Sequence, residues 1–226
     1  MNIVSGQAIA RSEFGITEGL FWSPNGSSLA FYQKDESAVH DYPLLDITKT
    51  PGEVKFIKYP MTGQPSEKPM VGIFNLKTRK TVFISPRGEK DSYLTNLSWT
   101  PDNKFVLIAE LNRDQNHMWL NLYDASTGKF VRTLFEEENE KWVEPEHAAY
   151  FPLENSNNFA WISERDGFNN IYYYDLKGNL ISQLTDHDFV VKDILDYSNG
   201  DLYYSTSGSN PLETQVYYVN LKKGKP

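Results

Sequence analysis

Cysteine and long apolar runs are both missing from this 226-residue chain. Without cysteine there is no disulfide framework and no thiolate metal site. No apolar run approaches the roughly 18 residues that a membrane-spanning helix needs, so we expect no membrane segment. The first residues, MNIVSGQAIARS, also lack the basic flank and apolar core of a signal peptide. We therefore expect a globular chain whose stability depends on a packed core.

Positive charge is also scarce. The chain has 22 Lys and Arg against 30 Asp and Glu, a formal charge of −8. Nucleic-acid binding depends largely on clustered basic residues, so we predict no nucleic-acid partner. An acidic surface favours partners that carry positive charge.

A repeated unit dominates what is present. Aromatic residues make up 14% of the chain, which favours strands, and one pattern of apolar strand, polar turn and apolar strand recurs. Its copies are GLFWSPNGSSLAFYQ (19–33), NLSWTPDNKFVLIAEL (96–111), HAAYFPLENSNNFAWISE (147–164) and KDILDYSNGDLYYSTS (192–207). The turns carry Pro, Asn, Asp, Ser and Gly, which supply the backbone angles of hairpins. Each copy is therefore predicted to be a β-hairpin followed by further strands.

The spacing of the copies predicts a β-propeller. Equivalent turn positions at Pro24, Pro101, Pro152 and Ser198 are separated by 77, 51 and 46 residues. The two shorter spacings match a propeller blade of roughly 40 to 50 residues. The longer one indicates an insertion, placed at about 35–69, whose prolines favour a loop with a short edge hairpin.

We predict a single all-β domain over residues 1–226, a partial β-propeller of about four four-stranded antiparallel blades. The blades are placed at about 13–88, 89–141, 142–187 and 188–226. Segments such as KFVLIAEL are apolar on both faces, as in strands covered on both sides, whereas an immunoglobulin-like sandwich would alternate apolar and polar. The fourth unit lacks an outer strand, which indicates an arc of a larger propeller. Exposed blade edges then predict self-association of the chain.

Motifs for catalysis or cofactors are mostly missing. The sequence contains no Gly-x-Ser-x-Gly elbow, no glycine-rich phosphate loop and no calcium loop. The histidines at 40, 117, 147 and 187 share no metal-ligand spacing, so we predict neither metal nor cofactor. The acidic run FEEENEKWVEPEH (135–147) is interpreted as a solvated loop between blades rather than a cation site. No catalytic residue is assigned within this chain.

Several stretches, in family order, resemble the N-terminal β-propeller of dipeptidyl peptidase IV, in the prolyl oligopeptidase clan, and especially its bacterial members. They are EFGITEGLFWSPNG (13–26), YPMTGQPSEKPMVG (59–72), KWVEP (141–145) and ERDGFNNIYYYD (164–175). The stretches most specific to this family are YPMTGQPSEKPMVG and ERDGFNNIYYYD. WSPNG alone occurs in many propellers.

The resemblance implies a serine exopeptidase that removes N-terminal Xaa-Pro or Xaa-Ala dipeptides. It implies an eight-bladed propeller over an α/β-hydrolase domain, with propeller acids that hold the substrate's free amino terminus. Two adjacent family acids correspond to Ser12 and Glu13, so only Glu13 matches as a substrate-binding residue, with Ser12 and Glu18 as minor candidates. The family's aromatic and basic contacts after Trp-Val are replaced here by Glu144, Pro145 and Glu146.

The resemblance also places the catalytic Ser, Asp and His outside these residues, so the chain alone should hydrolyse no Gly-Pro substrate. The implied partners are the remaining blades and hydrolase domain of the same parent chain, and peptides with a free amino terminus. Export to the periplasm is a further expectation from the resemblance. The alternative from the residues alone is a non-enzymatic propeller that serves as an interaction scaffold. On the residues alone, a lone glutamate such as Glu13 is most often a surface charge.

Overall fold

The computed structural model describes residues 2–10, 13–88 and 91–222. Within these ranges the chain forms seventeen β-strands and no α-helix, so none of these residues lies in a helix able to cross a membrane. In chain order the strands are β1 (Ile3–Ser5), β2 (Leu20–Trp22), β3 (Ser28–Asp35), β4 (Asp41–Asp46), β5 (Glu53–Lys58), β6 (Lys68–Asn75), β7 (Lys80–Phe83), β8 (Tyr93–Trp99), β9 (Phe105–Leu111), β10 (His117–Asp124), β11 (Phe130–Glu138), β12 (Phe159–Ser163), β13 (Asn170–Tyr174), β14 (Leu180–Gln183), β15 (Val191–Ser198), β16 (Asp201–Thr206) and β17 (Gln215–Asn220).

The strands form four successive antiparallel blades, which confirms the predicted partial β-propeller. Blade 1 contains β1, β2, β3, β6 and β7, and blade 2 contains β8 to β11. Blade 3 contains β12 to β14, with an isolated bridge between Tyr150 and Ala160 at its inner edge. Blade 4 contains β15 to β17. Sequence reasoning did not predict β1, which lies ahead of residue 13 and joins blade 1 through β3.

The core lies between the blades rather than within any one of them. Along β9, Val106 and Ile108 pack toward blade 1, whereas Leu107, Ala109 and Leu111 pack toward blade 3. Successive side chains of a strand point to opposite faces, so a blade between two neighbours must be apolar on both. This is the physical reason for the continuous apolar run in KFVLIAEL. A third cluster joins blades 3 and 4 around Ile171, Leu202 and Tyr204.

The insertion forms a separate hairpin. Strands β4 and β5 pair only with each other, while β3 and β6 on either side pair directly in blade 1. Its apolar side chains are largely exposed, with Ile47 at 81% and Phe56 at 66%. Ion pairs within the hairpin include Lys55 with Asp46 at 2.7 Å. The hairpin therefore stands apart from the packed blades.

Candidate functional site

Glu13 lies in a loop that interrupts the inner strand of blade 1. Strand β1 pairs with residues 33–35 of β3, and β2 pairs with residues 29–31 of the same strand. Strands β1 and β2 therefore lie end to end, in one line along β3. The described residues between them, 6–10 and 13–19, lie off this line, and we call these two segments the Glu13 loop. Its ends touch, since a Cβ at Gly19 would lie 2.4 Å from the carbonyl carbon of Gln7. A compact loop with close ends is of the Ω type, which often carries function.

The backbone turns sharply at Glu13. The N–H of Glu13 donates to the carbonyl of Ala10 at 3.0 Å, and the N–H of Ile16 donates to the carbonyl of Glu13 at 3.1 Å. Ala10, Phe14 and Gly15 have positive φ angles of 50°, 55° and 67°. Left-handed geometry costs a residue with a side chain about 1 to 2 kcal/mol, and it persists only where the surroundings enforce it.

Two contacts on opposite sides enforce this turn. The Phe14 ring is buried, and its centroid lies 5.0 Å from that of Tyr93 at the start of β8. Gly15 rests against the segment that enters blade 3, because a Cβ there would lie 1.8 Å from the carbonyl oxygen of Glu146. Only glycine permits this approach. The Glu13 loop is thus clamped between blade 2 and the entry to blade 3.

The side chain of Glu13 is exposed and lines a cleft of about 440 Å³ between blades 1 and 2. We call it the Glu13 cleft. Its other walls come from residues 59–64 and 66–69, at the base of the hairpin, and from residues 91–93, Arg113 and Gln115 on the side of blade 2. The charged side chains of Glu67, Lys68 and Asp91 are among them. Among the residues that the structure describes, none forms a hydrogen bond or ion pair with the Glu13 carboxylate. No described residue therefore competes with a cation for this carboxylate.

Of the other two predicted site residues, the structure describes only Glu18. Ser12 lies outside the described residues, as does Arg11. Glu18 is exposed and lines a separate cavity of about 110 Å³ together with Tyr32 and Leu97. The structure therefore does not bring Glu13 and Glu18 into one cleft, and the minor role of Glu18 stays a prediction.

A second cleft, of about 390 Å³, lies between blades 2 and 3, and we call it the Trp142 cleft. Its lining includes Trp142, which is 52% exposed, together with Glu136, Glu137, Glu138, Glu164 and Arg165. Burial raises the pKa of the Glu164 carboxyl above its usual range, and the nearby charges of Glu144 and Glu146 add to this. The cleft is therefore dense in negative charge.

Much of that charge is already engaged. One oxygen of Glu137 accepts hydrogen bonds from the indole of Trp161 and from the guanidinium of Arg165. The guanidinium also lies 4.3 Å over the Tyr172 ring. Glu136 pairs with His117 at 3.0 Å. The sequence interpretation of 135–147 as a solvated loop was thus incomplete, because residues 136–138 belong to β11 and Glu137 supports blade 3.

Metal binding finds no support in these clefts. Across residues 2–10, 13–88 and 91–222, no group of three or more His, Asp or Glu side chains could hold an ion. His147 lies near Asp193 in a further cavity, and burial lowers the pKa of its imidazole, partly offset by the Asp193 charge. A histidine of this kind is mostly neutral at pH 7.

The fold and its clefts define a partial β-propeller, and comparison with known proteins gives the family. The family model described as the dipeptidyl peptidase IV (DPP IV) N-terminal region matches residues 1–226. The chain therefore belongs to the family of dipeptidyl peptidase IV N-terminal regions.

Solved structures agree with this assignment. A Bacteroides ovatus protein described as a dipeptidyl aminopeptidase IV superposes with a TM-score of 0.88 and 37% identity, over 99% of this chain and 34% of that one. Porphyromonas gingivalis dipeptidyl peptidase 4 superposes with a TM-score of 0.85 and 26% identity, over 98% of this chain and 32% of that one. Dipeptidyl-aminopeptidase B of Aspergillus niger is 25% identical over 89% of this chain and 25% of its own length. The chain thus spans a quarter to a third of these relatives.

Proposed function

We propose that this chain is the propeller part of a serine exopeptidase that removes N-terminal Xaa-Pro and Xaa-Ala dipeptides. In this proposal the propeller limits access to a hydrolase domain in the same parent chain, and Glu13 binds the free amino terminus of the substrate. Family membership supports the peptidase class, and two structural neighbours are described as a dipeptidyl aminopeptidase IV and a dipeptidyl peptidase 4. We further propose, from the resemblance alone, that the parent enzyme is exported to the periplasm.

The observation that carries the proposal is the carboxylate of Glu13, which lines its cleft and has no hydrogen-bond or ion-pair partner among the residues that the structure describes. An ammonium group is compact, carries three donors and forms strong charge-assisted hydrogen bonds with a carboxylate. A fixed carboxylate that binds the amino terminus would place the peptide bond a set number of residues away. Positioning of this kind explains removal of dipeptides rather than general proteolysis.

Substitution of Glu13 by Gln in the complete peptidase tests the proposal. The change keeps the shape of the side chain and removes its charge. We expect kcat/KM for Gly-Pro-p-nitroanilide to fall by about 10- to 100-fold, because a hydrogen bond to a charged group contributes about 1.5–3 kcal/mol. Labelling of the active-site serine by a fluorophosphonate, which has no amino terminus, should keep its rate.

Glu154→Gln is the matched control, since Glu154 is also an exposed glutamate but does not line the Glu13 cleft. It should leave kcat/KM within twofold of the parent value. An unchanged kcat/KM in the Glu13 variant would show that Glu13 is a surface charge that does not bind the substrate. A parent chain with no hydrolase domain would instead favour the interaction scaffold.

We propose in addition that the chain studied alone self-associates through the outer faces of its first and last blades. Leu20, Trp22 and Phe83 are exposed on blade 1, on the face opposite its core contacts. Val216 and Tyr218 are exposed in the same way on blade 4. Apolar faces that a neighbouring blade would cover favour association.

Light scattering over a range of concentrations tests this, with oligomers expected from the chain alone and fewer from a Trp22→Glu variant. A monodisperse monomer at every concentration would contradict it.

A further inference from the structure

The direction of the Glu13 side chain depends on its neighbour Phe14. Phe14 has a φ of 55° and a large side chain, a combination that only surrounding contacts can maintain. Its ring is 6% exposed and belongs to the core cluster between blades 2 and 3. The rim of that cluster nearest the Glu13 cleft is formed by Tyr93, whose ring plane is tilted 58° from that of Phe14. What fixes Tyr93 therefore also fixes the turn at Glu13.

Tyr93 is itself held from the other side by the turn between β9 and β10. The guanidinium of Arg113 lies 4.8 Å from the Tyr93 ring centroid, within the range of a cation–π contact. Gln115 donates from its side-chain amide to the Tyr93 hydroxyl at 3.3 Å. The carbonyl of Gln115 accepts from the N–H of Val143 at 2.8 Å, which ties this turn to blade 3. Contacts on its face and at its hydroxyl thus fix the Tyr93 ring.

The Tyr93 ring also engages a positive charge that lines the Glu13 cleft. Arg113 and Glu13 both line the Glu13 cleft, yet among the described residues Arg113 pairs with no carboxylate. A guanidinium free to move within the cleft would be attracted to the carboxylates there, which are those of Glu13, Glu67 and Asp91. A guanidinium held against an aromatic face is less available for such a pair.

We infer that Tyr93 is a positioning residue for Glu13. Its ring fixes Phe14, and so the turn that presents the carboxylate, and it keeps Arg113 from neutralising that carboxylate. The inference rests on the proposed function of Glu13. It assigns Tyr93 no contact with the substrate, so its effect on catalysis must pass through Glu13.

A double-mutant cycle in the complete peptidase tests this dependence. Tyr93→Leu should raise KM for Gly-Pro-p-nitroanilide by about tenfold with kcat within about twofold, because a binding contact is lost and the chemistry is not. Tyr93→Phe keeps the ring and should restore KM to within about threefold of the parent, since only the 3.3 Å hydrogen bond is removed. In a Glu13→Gln background, Tyr93→Leu should change KM by less than about twofold, because the two substitutions act on one interaction.

The outcomes separate this inference from the proposed function. If Glu13→Gln alone leaves KM unchanged, the proposed function fails. If Glu13→Gln raises KM but Tyr93→Leu does not, or if the two effects multiply, the inference is overturned and the proposed function stands. Should Tyr93→Leu fail to fold in a thermal melt, Phe14→Leu breaks the same ring contact and enters the cycle in its place, with the same expected coupling to Glu13.

Discussion

The Glu13 cleft and the Trp142 cleft adjoin each other, and they use negative charge in different ways. The Glu13 cleft presents the Glu13 carboxylate on a clamped loop, with no partner among the described residues, and Glu67 and Asp91 also line it. The Trp142 cleft collects several, but Glu137 is bonded to Arg165, and the pKa of Glu164 is raised by burial and by its acidic neighbours. A carboxylate on an ordered loop with no partner among the described residues is better suited to bind an ammonium than a carboxylate already bonded to a guanidinium or one whose charged form is disfavoured by burial and acidic neighbours. The two clefts therefore differ mainly in how far their acids are already engaged by neighbouring groups.

Gly15→Ala should disrupt the Glu13 cleft most strongly. The new methyl would meet the carbonyl oxygen of Glu146 at 1.8 Å, at a φ of +67° that already disfavours a side chain. We expect a loss of about 2–4 kcal/mol in the free energy of unfolding, from the clash and the backbone strain together. Denaturant unfolding of the chain measures it.

Gly26→Ala is the control for that substitution. Gly26 has a nearly equal φ of +66°, but a Cβ there meets nothing within 4 Å. Gly26→Ala should therefore lower the free energy of unfolding only by the cost of the strained backbone, about 1 kcal/mol. Equal losses at the two glycines would show that the close approach of Gly15 to blade 3 does not hold the loop.

Arg165→Met breaks the charge arrangement of the Trp142 cleft. The substitution keeps an apolar stem against Tyr172 but leaves Glu137 without its cation among other acids. We expect the free energy of unfolding to fall by about 1–3 kcal/mol, because a mostly buried carboxylate loses its charged partner. Lys55→Met removes an ion pair whose lysine is 61% exposed, and it should lose less than about 1 kcal/mol. A loss at Arg165 as small as that at Lys55 would show that the buried pair contributes no more than a surface pair.

Much of this fold follows from local patterns in the sequence. The turn residues of WSPNGSS specify a hairpin. The apolar residues on both faces of KFVLIAEL specify a strand that is covered on both sides. Both signals come from residues that are close together in the sequence. Strand β1 was missed because three residues, IVS, carry almost no pattern, and it pairs across the Glu13 loop with the far end of β3. Register between distant segments depends on tertiary packing.

The site was predictable only in part. The resemblance placed Glu13, but nothing local indicates that Phe14 adopts a positive φ or that its ring packs on Tyr93, far along the chain. Arg165 and Glu137 meet because blades 2 and 3 stack, and their separation in sequence hides the pair. Contacts between blades therefore decide which charges are free and which are engaged.

Glu164→Gln should change the free energy of unfolding least, and it should raise that free energy rather than lower it. A carboxyl whose pKa is raised on folding binds more protons in the folded chain than in the unfolded one, so its contribution to stability falls as pH rises through that window. Removing this charge should raise the free energy of unfolding at pH 7 by less than about 1 kcal/mol, since the group is largely exposed. The gain should vanish below its ordinary pKa of 4.5.

Unfolding curves at pH 7 and pH 4 measure this difference, with Glu154→Gln as a remote control. A gain that persists at the lower pH would show that the effect does not come from the carboxylate charge.

A crystal structure of the complete peptidase with an Ala-Pro dipeptide tests the central claim most directly. The account predicts the amino nitrogen of the dipeptide at about 2.7–2.9 Å from a carboxylate oxygen of Glu13, the distance of a charge-assisted hydrogen bond. It also predicts that the Trp142 cleft does not bind the amino terminus. An amino terminus bound beside Glu164, or bound with Glu13 turned away to pair with Arg113, would contradict the account.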